Sequence, residues 1–443
     1  MSSQTLAAVN CAHPAPSTKP QSAAALYGAP FLSGVALMLG ANGIYALCLG
    51  AMLSVISKLG TVEMVGKYAL ALAIATPIMT CANMQLRSVY VADRRTACAF
   101  RTYFSTRILS SSVALLVIVI VGIAARYPAD IVVIILTVGA AKGVESLSDI
   151  LLGTLQRQAQ FGRFSIAVAI RGVAPFAAAT AALCVTQSLT ATLMSWCLGY
   201  TGVFLFCDLP LSRRHDSQAA MPAPRTSSGT LGQALALTRK SAGLGVVTLL
   251  TALAANMPRY VVESVAGARA LGLFAAIGYM TVIAGLAGGA VGQTVIVQLS
   301  ESFSNGRIRG FVSRIAWWMA AGGVCGLALW ACARIMGDSI LRTFFTAEYV
   351  GNTTVLCWMV VATTVSYGAS ILSYAVLAAG VFSRQIPVLI ATVLLGWCAS
   401  VPLTRAYGLP GAAAAQAVIA ALQVAGYCAL LGAAIYGRTR DAA

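Results

Sequence analysis

The chain has 443 residues, 59% of them hydrophobic and only 9% charged, with a net charge of +17. A soluble domain carries roughly 25% charged residues, so this composition excludes a water-covered globule, and the surplus of Lys and Arg has no basic soluble domain in which to bind nucleic acid. A hydrocarbon core about 30 Å thick takes roughly 20 apolar residues per helix, which leaves room for about a dozen membrane-spanning helices and little else.

In chain order, the first 25 residues are rich in Ser, Ala and Pro and lack a basic start followed by an apolar run. They read as a disordered cytoplasmic tail and not as a cleaved signal. Spans are then expected at 29–57, 67–91, 103–125, 129–156, 162–186, 188–208, 241–265, 270–299, 311–336, 354–381, 385–404 and 409–437. Stretches such as 113–124 and 131–141 are continuously apolar, where a β-barrel needs alternation over about ten residues. The expected fold class is therefore all-α and polytopic.

The longest polar connection, 211–233, is rich in Arg, Ser and Pro and divides the chain into halves of six spans. The expected organisation is a tail over 1–28, a six-helix lobe over 29–210, a cytoplasmic linker over 211–240, a second lobe over 241–437 and a short tail over 438–443. With the N-terminus inside, 19 Lys and Arg fall on the cytoplasmic side, seven on the other, and three within spans. That bias predicts both termini in the cytoplasm.

The halves carry a faint repeat. Gly60-Thr-Val-Glu-Met-Val-Gly66-Lys-Tyr-Ala-Leu-Ala-Leu in the first resembles Gly267-Ala-Arg-Ala-Leu-Gly272-Leu-Phe-Ala-Ala-Ile in the second. Six spans separate the copies, so the repeat is parallel, a pattern that builds two lobes around a central cavity. Overlapping GxxxG pairs at Gly285/Gly289 and Gly288/Gly292, and another at Gly322/Gly326, read as close helix packing.

A charge at the bilayer centre costs about 2.5–3.5 kcal/mol or more, so such groups face partners or water-filled cavities. The fourth span carries Lys142, Glu145 and Asp149, and the fifth carries Arg171 followed by Pro175. Asp149 and Arg171 each stand eleven residues from Gln160. Equal rise along two antiparallel helices puts them at one depth, which predicts a close pair. In the seventh span Asn256-Met-Pro-Arg259-Tyr260 precedes Glu263; Pro258 is expected to break the helix and free carbonyls for a ligand. Arg87 closes the second span, at a position that also suits snorkelling to the interface. Each of these groups has two readings: a structural lock, or a wall of a polar cavity.

Several chemistries lack their residues. Gly60-x5-Gly66-Lys67 is one residue too long for a phosphate-binding loop, and Tyr68 stands where Ser or Thr would hold magnesium. The twelve cysteines are scattered, without CxxC pairs or Cys/His clusters; they read as small buried hydrophobes, with no metal or other cofactor expected. No carboxylate cluster or large external loop offers an enzyme site, and no repeated pore loop suggests a channel. A secondary transporter of two six-helix lobes remains.

Several segments resemble the Wzx-type polysaccharide flippases of the multidrug/oligosaccharidyl-lipid/polysaccharide exporter superfamily. They are Lys58-Leu-Gly60 with Val65-Gly-Lys-Tyr-Ala-Leu-Ala-Leu-Ala-Ile-Ala-Thr-Pro77, Asn83-Met-Gln-Leu-Arg87, Asn256-Met-Pro-Arg-Tyr260 with Leu271-Gly-Leu-Phe-Ala-Ala-Ile277, and Tyr407-Gly-Leu-Pro-Gly-Ala-Ala-Ala-Ala-Gln416. The resemblance implies a MATE-like fold and a non-enzymatic flippase. Its cargo would be an undecaprenyl-pyrophosphate-linked oligosaccharide, moved by alternating access, with ion coupling, for surface polysaccharide export. Membrane lipid and other polysaccharide-assembly proteins would be its partners. Arginine suits a pyrophosphate because it stays charged and bonds two oxygens at once. Arg87, Lys142, Arg171 and Arg259 are the candidate substrate-binding cations, and Glu145, Asp149 and Glu263 the candidates for charge pairing or ion coupling. The alternatives are a cation-coupled drug antiporter of the same superfamily, a lipid II flippase, and a membrane glycan polymerase or ligase.

Overall fold

A computed structural model describes residues 29–92, 100–211, 230–381 and 384–441, and among these every regular element is helical. The expected tail at 1–28 and most of the expected linker lie outside the described residues. In chain order the helices are α1 (Ala29–Leu59), α2 (Val62–Asn83), α3 (Leu86–Ala92), α4 (Phe100–Ala124), α5 (Ala129–Arg157), α6 (Phe161–Thr186), α7 (Leu189–Val203), α8 (Thr230–Ser304), α9 (Ile308–Phe344), α10 (Thr353–Ala378) and α11 (Gln385–Asp441). A π-helical turn, Phe204–Asp208, extends α7.

Ten of these stretches are long and apolar enough to cross a membrane, where twelve spans were expected. The difference lies in α8 and α11. A straight helix of 75 residues would run for roughly 110 Å at about 1.5 Å per residue, several times the thickness of a bilayer core. The backbone instead leaves the helical region at Gly267 (φ 79°, ψ 179°) in α8 and at Gly408 (φ 62°, ψ −139°) in α11. Each element is thus two arms, and the described residues supply twelve membrane-length segments. Only glycine takes these dihedrals without a Cβ penalty. Sequence reading placed loops at both points, and the turns proved to be single residues.

The second span differs from expectation in the opposite sense. Its helix is interrupted after Asn83, where Met84 (φ 44°) and Gln85 (φ 53°) both take left-handed backbone. The chain then resumes as α3, which carries Arg87. Pro258, expected to break α8, sits inside continuous helix. A proline removes one donor, and a span packed against neighbours tolerates that loss.

Helix packing separates two groups. In the first half α1 packs on α6, α6 on α7, α2 on α5 and α5 on α4. In the second, α8 packs on α11, α11 on α10 and α10 on α9. The groups meet chiefly where α2 lies along α8, with lesser contacts from α4 and α1. One core cluster, including Val65, Tyr68, Trp196, Phe274 and Leu356, crosses this junction, while a second, around Leu299, Phe311 and Leu372, belongs to the later half. The outer faces stay apolar: Phe206 is 85% exposed and Ile335 82%. Such side chains suit a hydrocarbon solvent, not water. Cys184, Cys325, Cys332, Cys398 and Cys428 also lie on exposed faces, so the expectation of burial fails for them, whereas Cys357 is buried.

At the junction the two repeat copies touch. A Cβ on Gly66 would lie 1.8 Å from the Ala268 carbonyl oxygen, and one on Gly272 would lie 2.1 Å from that of Val62. The glycines of the repeat let α2 and the second arm of α8 meet backbone to backbone.

Candidate functional site: charge clusters within the spans

Charged side chains within the spans gather in four groups. The first lies at the interruption of α2. Arg87 Nη1 reaches Asp149 Oδ1 at 2.8 Å, and its Nε and Nη2 donate to Gln156 Oε1 at 3.1 and 2.8 Å. Its guanidinium also stacks on Phe164, 5.0 Å from the ring centre. Arg107 of α4 reaches the other oxygen of Asp149 at 3.5 Å and donates to the Asn83 carbonyl at 2.9 Å. That carbonyl is open to a side chain because the helix stops there. Asn83 Oδ1 in turn accepts from the Ser146 hydroxyl. The Arg107 side chain is 1% exposed, and its Nε has no hydrogen-bond partner.

The second group fills the first lobe. Lys142 Nζ bonds Glu145 Oε2 at 2.7 Å, and the Tyr45 hydroxyl donates to Glu145 Oε1 at 2.6 Å. Tyr45 meets the Tyr200 hydroxyl at 3.2 Å, while Lys142 lies over the Trp196 ring at 6.0 Å. Glycines set the approach: a Cβ on Gly172 would sit 2.9 Å from the Tyr45 Cα.

The third group corrects the pairing inferred from depth. Arg171 does not meet Asp149; it pairs with Asp208 at 3.3 Å, both side chains being almost fully buried. Equal depth on adjacent helices is necessary for a pair but leaves azimuth open. Asp149 turns toward α3 and α4, and Arg171 toward the π-turn after α7. That turn adds a residue to the helical repeat and so re-aims the side chains beyond it.

The fourth group belongs to the second lobe. Arg259 Nη1 donates to Asn256 Oδ1 at 2.8 Å, one turn back. Arg259 and Glu263 form no ion pair with each other; Glu263 meets the Tyr127 hydroxyl of the first lobe. Tyr260 donates to the Ala73 carbonyl, again across the junction. Among the described residues Arg259 is thus a span cation without a carboxylate.

Two members of these groups, Arg107 and Asp208, were missed in the sequence. Arg107 counts among the 19 cytoplasmic Lys and Arg, and Asp208 ends the expected span at 188–208. The signal was present, since both fall inside expected spans at 103–125 and 188–208. These four groups therefore hold five bases (Arg87, Arg107, Lys142, Arg171, Arg259) and four acids (Glu145, Asp149, Asp208, Glu263). Among the described residues no group of His, Cys, Asp and Glu converges to hold a metal ion. The side chains of Gly285, Gly288, Gly289 and Gly292 lie outside the described ones, while Gly322 and Gly326 pack against Tyr367 and Thr364 of α10.

The fold is shared with solved structures. An inward-facing multidrug-resistance MATE family transporter of the MOP superfamily aligns with a TM-score of 0.69 at 12% identity, covering 90% of this chain and 96% of that one. The lipid II flippase MurJ, in an inward closed conformation, aligns with a TM-score of 0.61 at 13% identity over 91% of this chain and 86% of its own. A MOP superfamily transporter from Pyrococcus furiosus, described by the reverse polarity of its binding pocket, aligns with a TM-score of 0.60 at 13% identity over 94% and 96%. No protein-family profile matches the chain. The fold is thus all-helical and polytopic, with two MATE-like lobes. In sequence the chain is similar to the capsular polysaccharide biosynthesis protein CapF of Staphylococcus aureus, 23% identical over 320 residues, which are 72% of this chain and 78% of CapF. The resemblance read in the sequence is thus matched in fold by structures of the MOP superfamily and in sequence by a capsular polysaccharide biosynthesis protein.

Proposed function

We propose that this protein is a flippase that moves an undecaprenyl-pyrophosphate-linked oligosaccharide across the bacterial inner membrane for capsule or other surface-polysaccharide export. The observation that carries the reading is the surplus of cations in the four charge groups, with Arg259 lacking a carboxylate among the described residues and Arg87 and Arg107 sharing one. A sugar–pyrophosphate head cannot cross hydrocarbon without a polar route, and guanidinium groups match its oxygens in pairs. Similarity to CapF supports the polysaccharide class. A cation–drug antiporter is disfavoured, because its cavity would need a surplus of acids.

Alternating access is the rocking of the two lobes about the junction of α2 with α8. Coupling to a proton or sodium ion is assigned to Glu145, which holds Lys142 and Tyr45 in one network at the middle of the first lobe. Both termini lie in the cytoplasm.

Deletion of the gene should abolish surface polysaccharide and leave the lipid-linked repeat in the cytoplasmic leaflet. Normal polymer in the deletion strain would overturn the proposal. Arg259→Ala should reproduce the loss, and Arg259→Lys should restore part of it, because lysine keeps the charge without the planar fork.

A further inference from the structure

Away from the junction of the lobes, α9 and α10 part around a cavity of about 590 Å³. Trp330 and Arg334 line it from α9, and Thr354, Cys357, Trp358 and Val361 from the first turns of α10. Trp330, Arg334, Thr354 and Trp358 are exposed, so the cavity opens away from the protein. Leu327 and Ile335 stand exposed on the same helix as Trp330, a flank that suits hydrocarbon and not water. Depth follows from helix length. The 37 residues of α9 run for roughly 55 Å, while a bilayer core is about 30 Å thick, so the ends of α9 project from it. Arg334 stands roughly 15 Å before the end at Phe344, and Thr354 lies in the first turn of α10, which puts the cavity at the bilayer boundary. In the proposed topology this is the side away from the cytoplasm.

The lining is rich in donors and contains no carboxylate. It offers the Arg334 guanidinium, two indole N–H groups and the Thr354 hydroxyl. α10 carries no charged residue, and the one acid of α9 is Asp338. Asp338 Oδ1 accepts from the Gly351 N–H at 3.0 Å and from the Thr353 hydroxyl at 2.7 Å, and so holds the turn into α10. Glu348, in the connection between the two helices, pairs with Arg269 at 2.7 Å. Among the described residues Arg334 forms no ion pair. A guanidinium without a carboxylate, flanked by two tryptophans at the bilayer boundary, is complementary to a phosphate group with apolar matter attached.

We infer that this cavity binds the phosphate of an anionic phospholipid, with Arg334 as its counter-ion and the Trp330 and Trp358 rings against the glycerol and upper acyl carbons. Free phosphate shares the head chemistry but would leave both indole rings and the apolar flank unmatched. A zwitterionic head brings its own ammonium, so it leaves the charge of Arg334 less well balanced than an anionic head does. The site has a structural consequence. α9 packs chiefly on α10, and a headgroup held by Arg334 of one helix and Thr354 of the other fastens the two together. The site lies apart from the four charge groups, and it stands whether or not the cargo is a lipid-linked oligosaccharide.

The test is binding of phosphatidylglycerol and of phosphatidylcholine to the full chain, purified in detergent and read by native mass spectrometry, with inorganic phosphate as competitor. The unmodified chain should prefer phosphatidylglycerol, and inorganic phosphate should not displace it. Arg334→Gln should weaken phosphatidylglycerol binding by about tenfold or more, the worth of a hydrogen-bonded charge pair, and Arg334→Lys should keep part of it. Thr354→Trp, at an exposed position of the lining, fills the cavity without changing charge and should weaken binding as much. Arg405→Gln removes an exposed cation outside the cavity and should change nothing. Phosphatidylglycerol should also raise the unfolding midpoint of the unmodified chain but not that of Arg334→Gln, whose midpoint without lipid verifies its folding. Unchanged binding by Arg334→Gln, or a loss equalled by Arg405→Gln, overturns the site. Equal binding of the two lipids overturns it as well, making the occupant an ordinary belt lipid, and displacement by inorganic phosphate makes it a free-phosphate site instead. None of these outcomes touches the flippase reading.

Discussion

At the scale of single residues, partner choice is what the structure adds. Asp149 and Arg171 share a depth, yet each bonds someone else: Arg87 and Arg107 in one case, Asp208 in the other. Breaking a buried pair by removing one charge costs about 3–5 kcal/mol, since the other is left uncompensated. Asp208→Asn should therefore lower the unfolding midpoint in detergent substantially, while the double change Arg171→Met with Asp208→Leu should recover most of it. The reversal Arg171→Asp with Asp208→Arg should rescue either single reversal in part, and Asp149→Arg with Arg171→Asp should rescue nothing. Rescue by the second swap would show that Asp149 and Arg171 meet in another conformation. The presence of charges in the spans was legible from residue type alone, because few side chains are so costly in hydrocarbon. Their pairing was not, because rise along a helix says nothing about the direction in which a side chain leaves it.

At the scale of elements, glycine and the left-handed turns decide the architecture. Gly66 and Gly272 stand at matching places in the two repeat copies, and each faces a carbonyl of the opposite copy at a distance no Cβ can occupy. Gly66→Val or Gly272→Val should push α2 and α8 apart at that end. Spin labels at Glu63 and Arg269, both on the same end of the junction, should then report a longer separation than in the unmodified chain; an unchanged distance would mean that the helices yield elsewhere. The interruption at Met84–Gln85 was not legible, since neither residue is a glycine or a proline and the flanking sequence reads as continuous helix. Pro258 was the more conspicuous signal and proved the weaker break. Local propensity is a poor guide where neighbouring helices and side chains can satisfy or withhold a hydrogen bond.

At the scale of the whole molecule, the proposed topology puts the polar connection between the halves on the cytoplasmic side. A fluorescent-protein fusion within 212–229 should fluoresce and an alkaline-phosphatase fusion there should be inactive; the opposite pair of results would invert the orientation and move the Arg87–Arg107–Asp149 cluster toward the outer leaflet. The sequence by itself determined that the chain lives in a bilayer, that it folds as helices in two related halves, and that it carries a small set of charges in those helices. Composition and periodicity suffice for this, because hydrocarbon demands internal hydrogen bonding and length sets the span. Only the tertiary structure decided which charges neutralise one another, that Arg259 meets no carboxylate among the described residues, and that Arg87 and Arg107 share one. Those outcomes depend on the azimuth and contact of helices far apart in the chain, which no local pattern of residues encodes.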